Sequence, residues 1–527
     1  MAHIPLANQR ALRQAVMDIC SDILLATTEQ AGAEDVSKAL IHLVHSAVLE
    51  SCRLRNDSMA VTSRLPPELL IAVFTLLPLS GRIVTSHVCH TWRRVSLEQP
   101  ALLWSDISGC HEPWMLDLAL QHSKDIPASI RNLHIGGANV GPTVGFILQR
   151  HMRRIRVLHL VLDAFVMNDD PEADLYVSHM LSQALEEPAP CLEAFSAVDT
   201  DGGGWLDFRC INLFRGGAPR LHSLSILGLG ESYGLPDLST PVFNKLRRLQ
   251  LGGAEDITMS STQIASALQY LPLLQFLGVE FSNYRDLPTT HPPGIVFPPK
   301  ELTHIVISSC GDAPTSLIRM FCPDGLPRVD VLFRLGQPSL ECISSALYVL
   351  SHEASQMDIV YREDQFTHSG LFVRTVAVDG TSRSYRHLVM RLLPAIVGHS
   401  FRPIECLRIN AALLNRISET LSFPSVETLT VVLDEPLAPS AHAILCEDLR
   451  RVHIIATPKV IADGSPSAHV HALVERNIRY SDKLAAMQLN WEWGSDIDIK
   501  ELAEQVVIDL AEDPYLEWVD VNPLQWE

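Results

Sequence analysis

Apolar residues recur along the chain at two spacings, and the change from one to the other divides it. In the first hundred residues they return every three or four positions. Leu12, Val16, Ile19, Cys20 and Ile23 share one face of a helix predicted over 8–26, and Val36, Leu40, Leu43, Val44 and Ala47 share one face of a second over 33–55. A denser cluster follows. Pro66 and Pro67 suit a first helical turn, where a missing N–H is no loss, and Glu68 complements the helix dipole there. Leu69, Leu70, Val73, Phe74, Leu76 and Leu77 then keep helical spacing until Pro78 ends the run. Ile83, Val84, Val88, Cys89 and Trp92 make a second amphipathic segment, and Leu102, Leu103 and Trp104 close the unit. Three helices this short cannot bury so much apolar surface alone, so the surplus face predicts a partner.

Beyond residue 128 the pattern becomes apolar-x-x-apolar-x-apolar. It recurs as IRNLHI (130), IRVLHL (155), LEAFSA (192), LHSLSI (221), LRRLQL (246), LQFLGV (274), LTHIVI (302), IECLRI (404), VETLTV (426) and LRRVHI (449), with several intervals of 22 to 29 residues. The fillers are mostly Arg, His, Ser or Thr. Pro or Phe stands shortly before the first apolar position, as at Pro127, Pro190, Pro219, Phe243, Pro272, Pro299, Pro403 and Phe423. The intervals suit one strand plus one helix, which predicts an α/β stack of parallel strands and helices. The stretch from about 336 to 403 breaks the period: IVYREDQFTHSGLFVRTVAVDG reads as a β-hairpin insertion, followed by a helix over HLVMRLLPAIV.

Alternation along such strands sends the apolar residues inward and the residues between them to a shared face. That face would carry Asn132, His134, His159, Arg248, Gln250, His304, Arg408, Arg451 and His453. A strip rich in Arg and His suits an acidic or phosphorylated protein segment, because guanidinium pairs bidentately with such groups; a plain solvated strand face has the same composition.

Charge sharpens this contrast. With 41 Lys and Arg against 61 Asp and Glu the formal charge is -20, which repels a polyanion and argues against nucleic acid as a partner. The 11 cysteines include no CxxC pair, as expected for reduced thiols of an intracellular protein without structural zinc. MAHIPLANQRALRQAVMDICSD has no secretory pattern, and the longest apolar run, LLIAVFTLLPL, is too short to span a membrane. The expected location is cytoplasmic, nuclear or both.

Candidate chemistry is sparse. His42 and His45 lie one turn apart near Glu50, without a further ligand for a metal. Gly230-Glu231-Ser232-Tyr233-Gly234 matches GxSxG after an apolar run, but Pro236 and Pro241 oppose the helix that a nucleophile elbow must open. Gly228-Leu229-Gly230 begins a dinucleotide fingerprint whose third glycine is replaced by Tyr233. Cys110-His111-Glu112 has no base or oxyanion hole fixed beside it. The expectation is a chain that is not an enzyme and needs no metal or cofactor. Near the end, SDIDIKELAEQVVIDLAEDP reads as a helix capped at Ser495 or Asp496, in an acidic segment holding Trp491, Trp493, Trp518 and Trp526.

The order Leu65-Pro66-x-Glu68-Leu69-Leu70, Val73-Phe74-x-x-Leu77, Val88-Cys89-x-x-Trp92 and Leu103-Trp104 resembles the F-box over about 63–107, with a departure at Ser80-Gly81-Arg82. The resemblance implies docking on a Skp-type adaptor and, through it, a cullin-RING ubiquitin ligase. Leu65, Pro66, Leu69, Val73, Phe74, Leu77, Val88 and Trp92 would then face the adaptor or brace the helices. The later hexads resemble irregular leucine-rich repeats, although the Asn or Cys expected three residues past the last apolar position occurs only as Cys310. Together they resemble an F-box protein of fungal type with a degenerate leucine-rich-repeat-like solenoid. The implied organisation is a helical pair over 1–60, an F-box over 61–110, an irregular substrate-recognition domain over 111–480 and an acidic, Trp-rich cap over 481–527. Such a chain would be the substrate-recognition subunit of an SCF-type ligase; the alternative is an interaction scaffold outside the ubiquitin machinery.

Overall fold

The structure is a computed structural model that describes residues 11, 13–19, 21–22, 33–59, 65–110, 112–136, 140–162, 171–200, 206–229, 236–253, 264, 268–281, 299–309, 326–333, 354–363, 370–388, 390–398, 404–438, 442–462, 469–470, 472–481, 484–490 and 503–508. The chain divides into two compact units, Met1–Ser105 with His122–Lys124, and Asp106–Gln121 with Asp125–Glu527.

In the first unit, α1 (Ala33–Met59) contains the second predicted helix and runs beyond its expected end. It carries His42 and His45, both exposed. Among the described residues no group of three His, Cys, Asp or Glu could hold a metal ion. Within the first predicted helix, the described residues from 11 to 22 are helical, while Leu12, Cys20 and Ile23 lie outside them.

Four short helices follow: α2 (Pro67–Thr75), α3 (Leu79–Ser86), α4 (His90–Glu98) and α5 (Pro100–Leu103). Pro67 occupies the first turn of α2 as expected, and Pro78 both stops the chain after α2 and precedes α3, accepting the Arg82 N–H at 3.0 Å. The segment expected to be continuous from Ile83 to Trp92 is instead two helices. Val88 and Cys89 lie in the break, and Cys89 caps α4 by accepting the Trp92 N–H on Sγ at 3.4 Å. Leu70, Phe74, Leu79, Ile83, Val95, Leu103 and Trp104 form the buried side of this set. The Trp104 indole N–H finds its partner in the Ser96 carbonyl at 2.8 Å, as a buried indole requires.

Among the described residues the second unit is built on a 17-stranded sheet. Strands β1 (Asp106–Ser108), β2 (Ala128–Ile135), β3 (Ile155–Leu162), β4 (Ala194–Asp199), β5 (Ser223–Leu229), β6 (Arg248–Gly253), β7 (Phe276–Phe281), β8 (His304–Ser309) and β9 (Arg328–Phe333) pair in chain order, all parallel. β10 (Ala354–Arg362), β11 (Gly370–Ala377) and β12 (Ser382–Leu388) are antiparallel to one another, and β12 pairs parallel with β9. β10 pairs parallel with β13 (Cys406–Asn410), so the order across the insertion is 9-12-11-10-13 and the direction of the sheet is kept. β15 (Thr428–Leu433), β17 (Arg451–Ala456), β19 (Leu484–Leu489) and β20 (Ala503–Ile508) continue in parallel. A small parallel sheet joins β14 (Leu421–Ser422), β16 (Ile444–Leu445) and β18 (Ile478–Arg479).

Each predicted hexad contains or overlaps a strand of the large sheet. In most of them the first apolar residue is not in the strand but is the buried last residue of a turn before it. Leu192, Leu221, Leu246, Leu274 and Leu302 donate their N–H to the carbonyl three residues back, at 3.0, 3.1, 2.9, 3.2 and 2.9 Å. Pro190, Pro219 and Pro272 stand at the second position of such turns, where their fixed φ is suited. The next apolar positions stack in register: Leu158, Phe195, Leu224, Leu249, Leu277, Ile305 and Val329 form one buried row, and Leu160, Ala197, Ile226, Leu251, Val279, Ile307 and Val331 another.

Among the described residues helices are fewer than one per strand. α6 (Pro113–His122), α7 (Val140–His151) and α8 (Pro171–Glu186) accompany the first strands, whereas the described residues of the links into β5 and β6 hold the 3-10 turns Leu213–Gly216 and Pro241–Phe243. The mixed α/β class is as expected, with helices around the F-box-like stretch and then a large, mainly parallel sheet.

Two local expectations need correction. The helix expected over HLVMRLLPAIV is confined to a 3-10 turn at Met390–Leu392 and α9 (Leu393–Gly398), because His387 and Leu388 finish β12. The helix expected from Ser495 is, where described, the strand β20 beside β19; the β-branched run Val506-Val507-Ile508 favours a strand. The missing Asn or Cys positions are partly filled by other groups: Thr200 and Thr457 each bond the carbonyl of the neighbouring strand through N–H and Oγ1, and Asp434 accepts the Ala412 N–H. The four C-terminal tryptophans, the GxSxG stretch and Cys310 lie outside the described residues.

Candidate functional site

Two surfaces carry the predicted residues, one in each unit. In the first, α2 presents two faces. Phe74 is 1% exposed and packs its ring 5.2 Å from that of Trp92, so it braces the helices and does not face a partner. Leu77 and Trp92 are half-buried. Leu65, Pro66 and Val88 are exposed, and Leu69 and Val73 are 53% and 52% exposed. Leu76, Val84 and Leu102 are exposed as well, although the motif did not single them out. Leu69 and Val73 share one side of α2, and Leu76, its C-cap residue, continues the spacing. Isolated exposed apolar residues are ordinary, but several on one short helix are the usual mark of a docking surface.

The unfamiliar stretch Ser80-Gly81-Arg82 has a structural account. Arg82 is 9% exposed inside α3, and its Nε and Nη1 donate to the Leu77 and Leu103 carbonyls at 2.8 and 2.9 Å. One guanidinium thus ties the end of α2 to the end of α5.

In the second unit the residues between the buried rows form their own in-register rows. Ser223, Arg248, Phe276, His304 and Arg328 are successive partners across β5 to β9. The next row holds His159, Ser196, Ser225, Gln250, Gly278, Val306 and Asp330. Across the insertion, Asp358, Arg408, Thr430 and His453 continue in register, and Arg451 pairs with Thr428. Asn132 falls at a register irregularity of β2 with φ +51°, and His134 pairs with Val161, so neither belongs to these rows.

Two predicted contacts change character. Gln250 is wholly buried. Burial and then the Arg131 charge push the His159 imidazole down to about 4, so it stays neutral near pH 7 and brings no charge to an anion.

His304 meets a buried carboxylate. Its Nε2 lies 2.7 Å from Oδ2 of Asp330, and the same oxygen accepts from Arg328 Nε at 2.9 Å. The other carboxylate oxygen of Asp330 accepts from the Ser384 hydroxyl. Burial by itself would raise the Asp330 carboxyl; the His304 bond, the Arg328 and His304 charges and the Ser384 bond outweigh it and hold the group at about 2. A second buried carboxylate repeats the device: Asp358 accepts from Arg374 Nε at 2.9 Å, lies 2.8 Å from Arg374 Nη2, and accepts from Gln356 at 2.9 Å. Towards β6, the His304 ring meets Phe276 edge-on with centroids 4.9 Å apart, and the Arg248 guanidinium lies 4.0 Å over the Phe276 ring.

Arg328, Asp330, Asp358 and Arg374 were not among the predicted residues. The first two sit in LPRVDV (326), which has the same hexad spacing and could have been found by it. The last two lie in the insertion, where no period leads to them.

An F-box-like family model matches residues 62–108, the stretch that holds α2 to α5 and β1. The chain therefore carries an F-box-like domain. No curated protein matches the chain.

Proposed function

We propose that this protein is a non-catalytic substrate receptor of an SCF-type ubiquitin ligase, docking a Skp-type adaptor through its F-box-like domain and a protein target through the large sheet. The observation that carries the reading is the exposed apolar side of α2, Leu69 and Val73, within the stretch that matches the F-box-like family. An apolar face left open beside a buried Phe74 suits a partner that supplies the missing half of a core. The mechanism is proximity: a target held near a ubiquitin-loaded enzyme presents its lysines at high effective concentration, with no catalytic group from this chain.

Among the described residues no helix is long and apolar enough to cross a membrane. The reading needs no metal, cofactor or nucleic acid.

The test is co-purification with a Skp-type adaptor. Wild type is expected to bind, and a Leu69→Glu, Val73→Glu double variant is expected to keep its circular dichroism and lose the adaptor. If wild type does not bind, the α2 face serves another partner and the scaffold reading replaces this one. Phe74 is unsuited to this experiment because its substitution would disturb the helices themselves.

A further inference from the structure

The outward side of the large sheet is closed at one end and open at the other. From β4 to β9 the row Ser196, Ser225, Gln250, Gly278, Val306 and Asp330 is buried, and Phe276, Val306 and Leu332 form a buried apolar cluster there. The equivalent row from β13 to β20 holds Arg408, Thr430, His453, Gln488 and Val507, half-buried as far as β19 and exposed at Val507. In the row before it Cys406, Arg451 and Gln505 are exposed, with Thr428 and Ala486 half-buried between them. A partner can therefore reach the second stretch and not the first.

The charges of the open stretch come in pairs of like sign. Where the strands begin, Glu405, Glu427, Arg450 and Ala485 follow one another, and the N–H of each of the last three donates to the carbonyl of the one before, at 2.9, 2.9 and 2.8 Å. Glu405, Glu427 and Arg450 are exposed, as is Arg451 next in the chain. Two carboxylates one strand apart are thus followed by two guanidinium groups, and among the described residues no ion pair joins any of the four. Like charges side by side on neighbouring strands are unfavourable, a cost that opposite charges from outside would relieve. The Cys406 thiol lies within reach of three of them: burial and the Glu405 charge, with Glu427, push it up, against the Thr428 bond and the Arg451 charge. The other charges nearby stand apart from this pattern. Arg408 and His453 already have partners in the chain, Glu504 lies beyond Ala485 on β20, and Glu447 and Asp448 belong to the turn before β17.

We infer that the open stretch takes an extended protein segment carrying a basic side chain and, two residues on, an acidic one, the first meeting Glu405 and Glu427 and the second Arg450 and Arg451. The spacing follows from the register. The point midway between the two carboxylate positions is about one and a half strand steps from Arg450, roughly 7 Å at about 4.8 Å per step. Alternate residues of an extended chain face the same way and are about 6.6 Å apart, so a segment crossing the strands presents both charges to the sheet. The inference deepens the proposed role of the sheet as the target-binding part and rests on it.

The test is disulfide exchange at Cys406, an exposed free thiol beside the carboxylates, in full-length protein. Two peptides of one composition are offered as mixed disulfides with 2-mercaptoethanol. In acetyl-Cys-Gly-Arg-Ser-Asp-Gly-amide the basic residue is nearer the tether and so nearer Glu405 and Glu427; in acetyl-Cys-Gly-Asp-Ser-Arg-Gly-amide the two charges are exchanged. Peptide mapping by mass spectrometry reads capture at Cys406 and, as the reference, at the exposed Cys52 of α1. Cys406 is expected to capture the first peptide about fivefold more than the second, the size of two exposed ion pairs, and Cys52 to take both equally. The double variants Glu405→Gln with Glu427→Gln, and Arg450→Gln with Arg451→Gln, should each bring the preference below about twofold at an unchanged melting temperature, because all four side chains are exposed. Equal capture of the two peptides at wild-type Cys406, or a preference that persists in either folded double variant, overturns the inference. Adaptor co-purification is scored on the same preparations, so capture without preference while the adaptor still binds fails this inference alone.

Discussion

The Nη1 of Arg82 donates to the carbonyl of Leu103 at 2.9 Å, a polar link across the set of four short helices beside the bond from the Trp104 indole to the Ser96 carbonyl. The same guanidinium takes the Leu77 carbonyl through Nε, so a single cation satisfies two helix ends. Replacing Arg82 by Met keeps the stem and removes both bonds. The expected loss is about 2–4 kcal/mol in the first unit, since a bond from a charged donor is worth about 1.5–3 kcal/mol and the carbonyls are left without it. Urea unfolding followed by circular dichroism measures this, and a change below about 0.5 kcal/mol would show that water replaces the guanidinium.

Phe74 and Val73 are neighbours in the chain with opposite roles. Phe74→Ala empties the space beside Trp92 and is expected to cost about 3–5 kcal/mol, as large buried aromatic truncations do. Val73→Ala, on the open side, should stay within about 0.5 kcal/mol. Adaptor capture should respond in the opposite sense: Val73→Ala weakens it while the fold remains, and Phe74→Ala weakens it only to the extent that the helices melt.

Much of the sheet was legible because one physical rule repeats along it. A parallel strand buried on one side needs apolar residues at alternate positions, and the turn before it needs a third, which produces the hexad. LPRVDV (326) and LAAMQL (484) carry that spacing too, and they form β9 and β19. The helical period was legible in α2 but misleading after it, because apolar spacing continues across the break at Cys89, whose cap is a weak sulfur acceptor. The charged cluster was legible only in part. His304 and Asp330 come from the consecutive strands β8 and β9, which the hexad spacing reaches, but Ser384 joins them from β12 only through the 9-12-11-10-13 order, which no local pattern encodes. The burial of Gln250 was hidden likewise, since alternation assigns a face and not what covers it.

Gly228 and Gly380 offer a matched pair. Both have positive φ, +77° and +85°, but a Cβ on Gly228 would stand 1.8 Å from the Asp199 carbonyl oxygen, whereas one on Gly380 meets nothing within 4 Å. Gly380→Ala should lose only the conformational part, about 1–2 kcal/mol. Gly228→Ala must also push β4 and β5 apart and is expected to lose at least about 2 kcal/mol more than Gly380→Ala. Equal losses in thermal melts would mean that the strand end moves aside freely.

Two groups on the sheet should make stability fall with acid in separate steps. The His159 imidazole is held down at about 4, below its ordinary 6.5, so the unfolded chain takes up its proton first. Its contribution is complete above about pH 6.5 and is lost as pH falls to 4. Asp330 is held at about 2 against 3.8, so the unfolded carboxyl again protonates first; its contribution is complete above about pH 4 and is lost as pH falls through 2. For this buried carboxylate the loss is roughly 2 kcal/mol. Urea midpoints between pH 8 and 2 should therefore drop first between 6.5 and 4, and again below 4. His159→Gln is expected to flatten the first step alone, and Asp330→Asn the second alone while lowering stability at neutral pH. A first step that survives in His159→Gln would assign it to other imidazoles, and a second step that survives in Asp330→Asn would remove the His304, Arg328 and Ser384 partners as its cause.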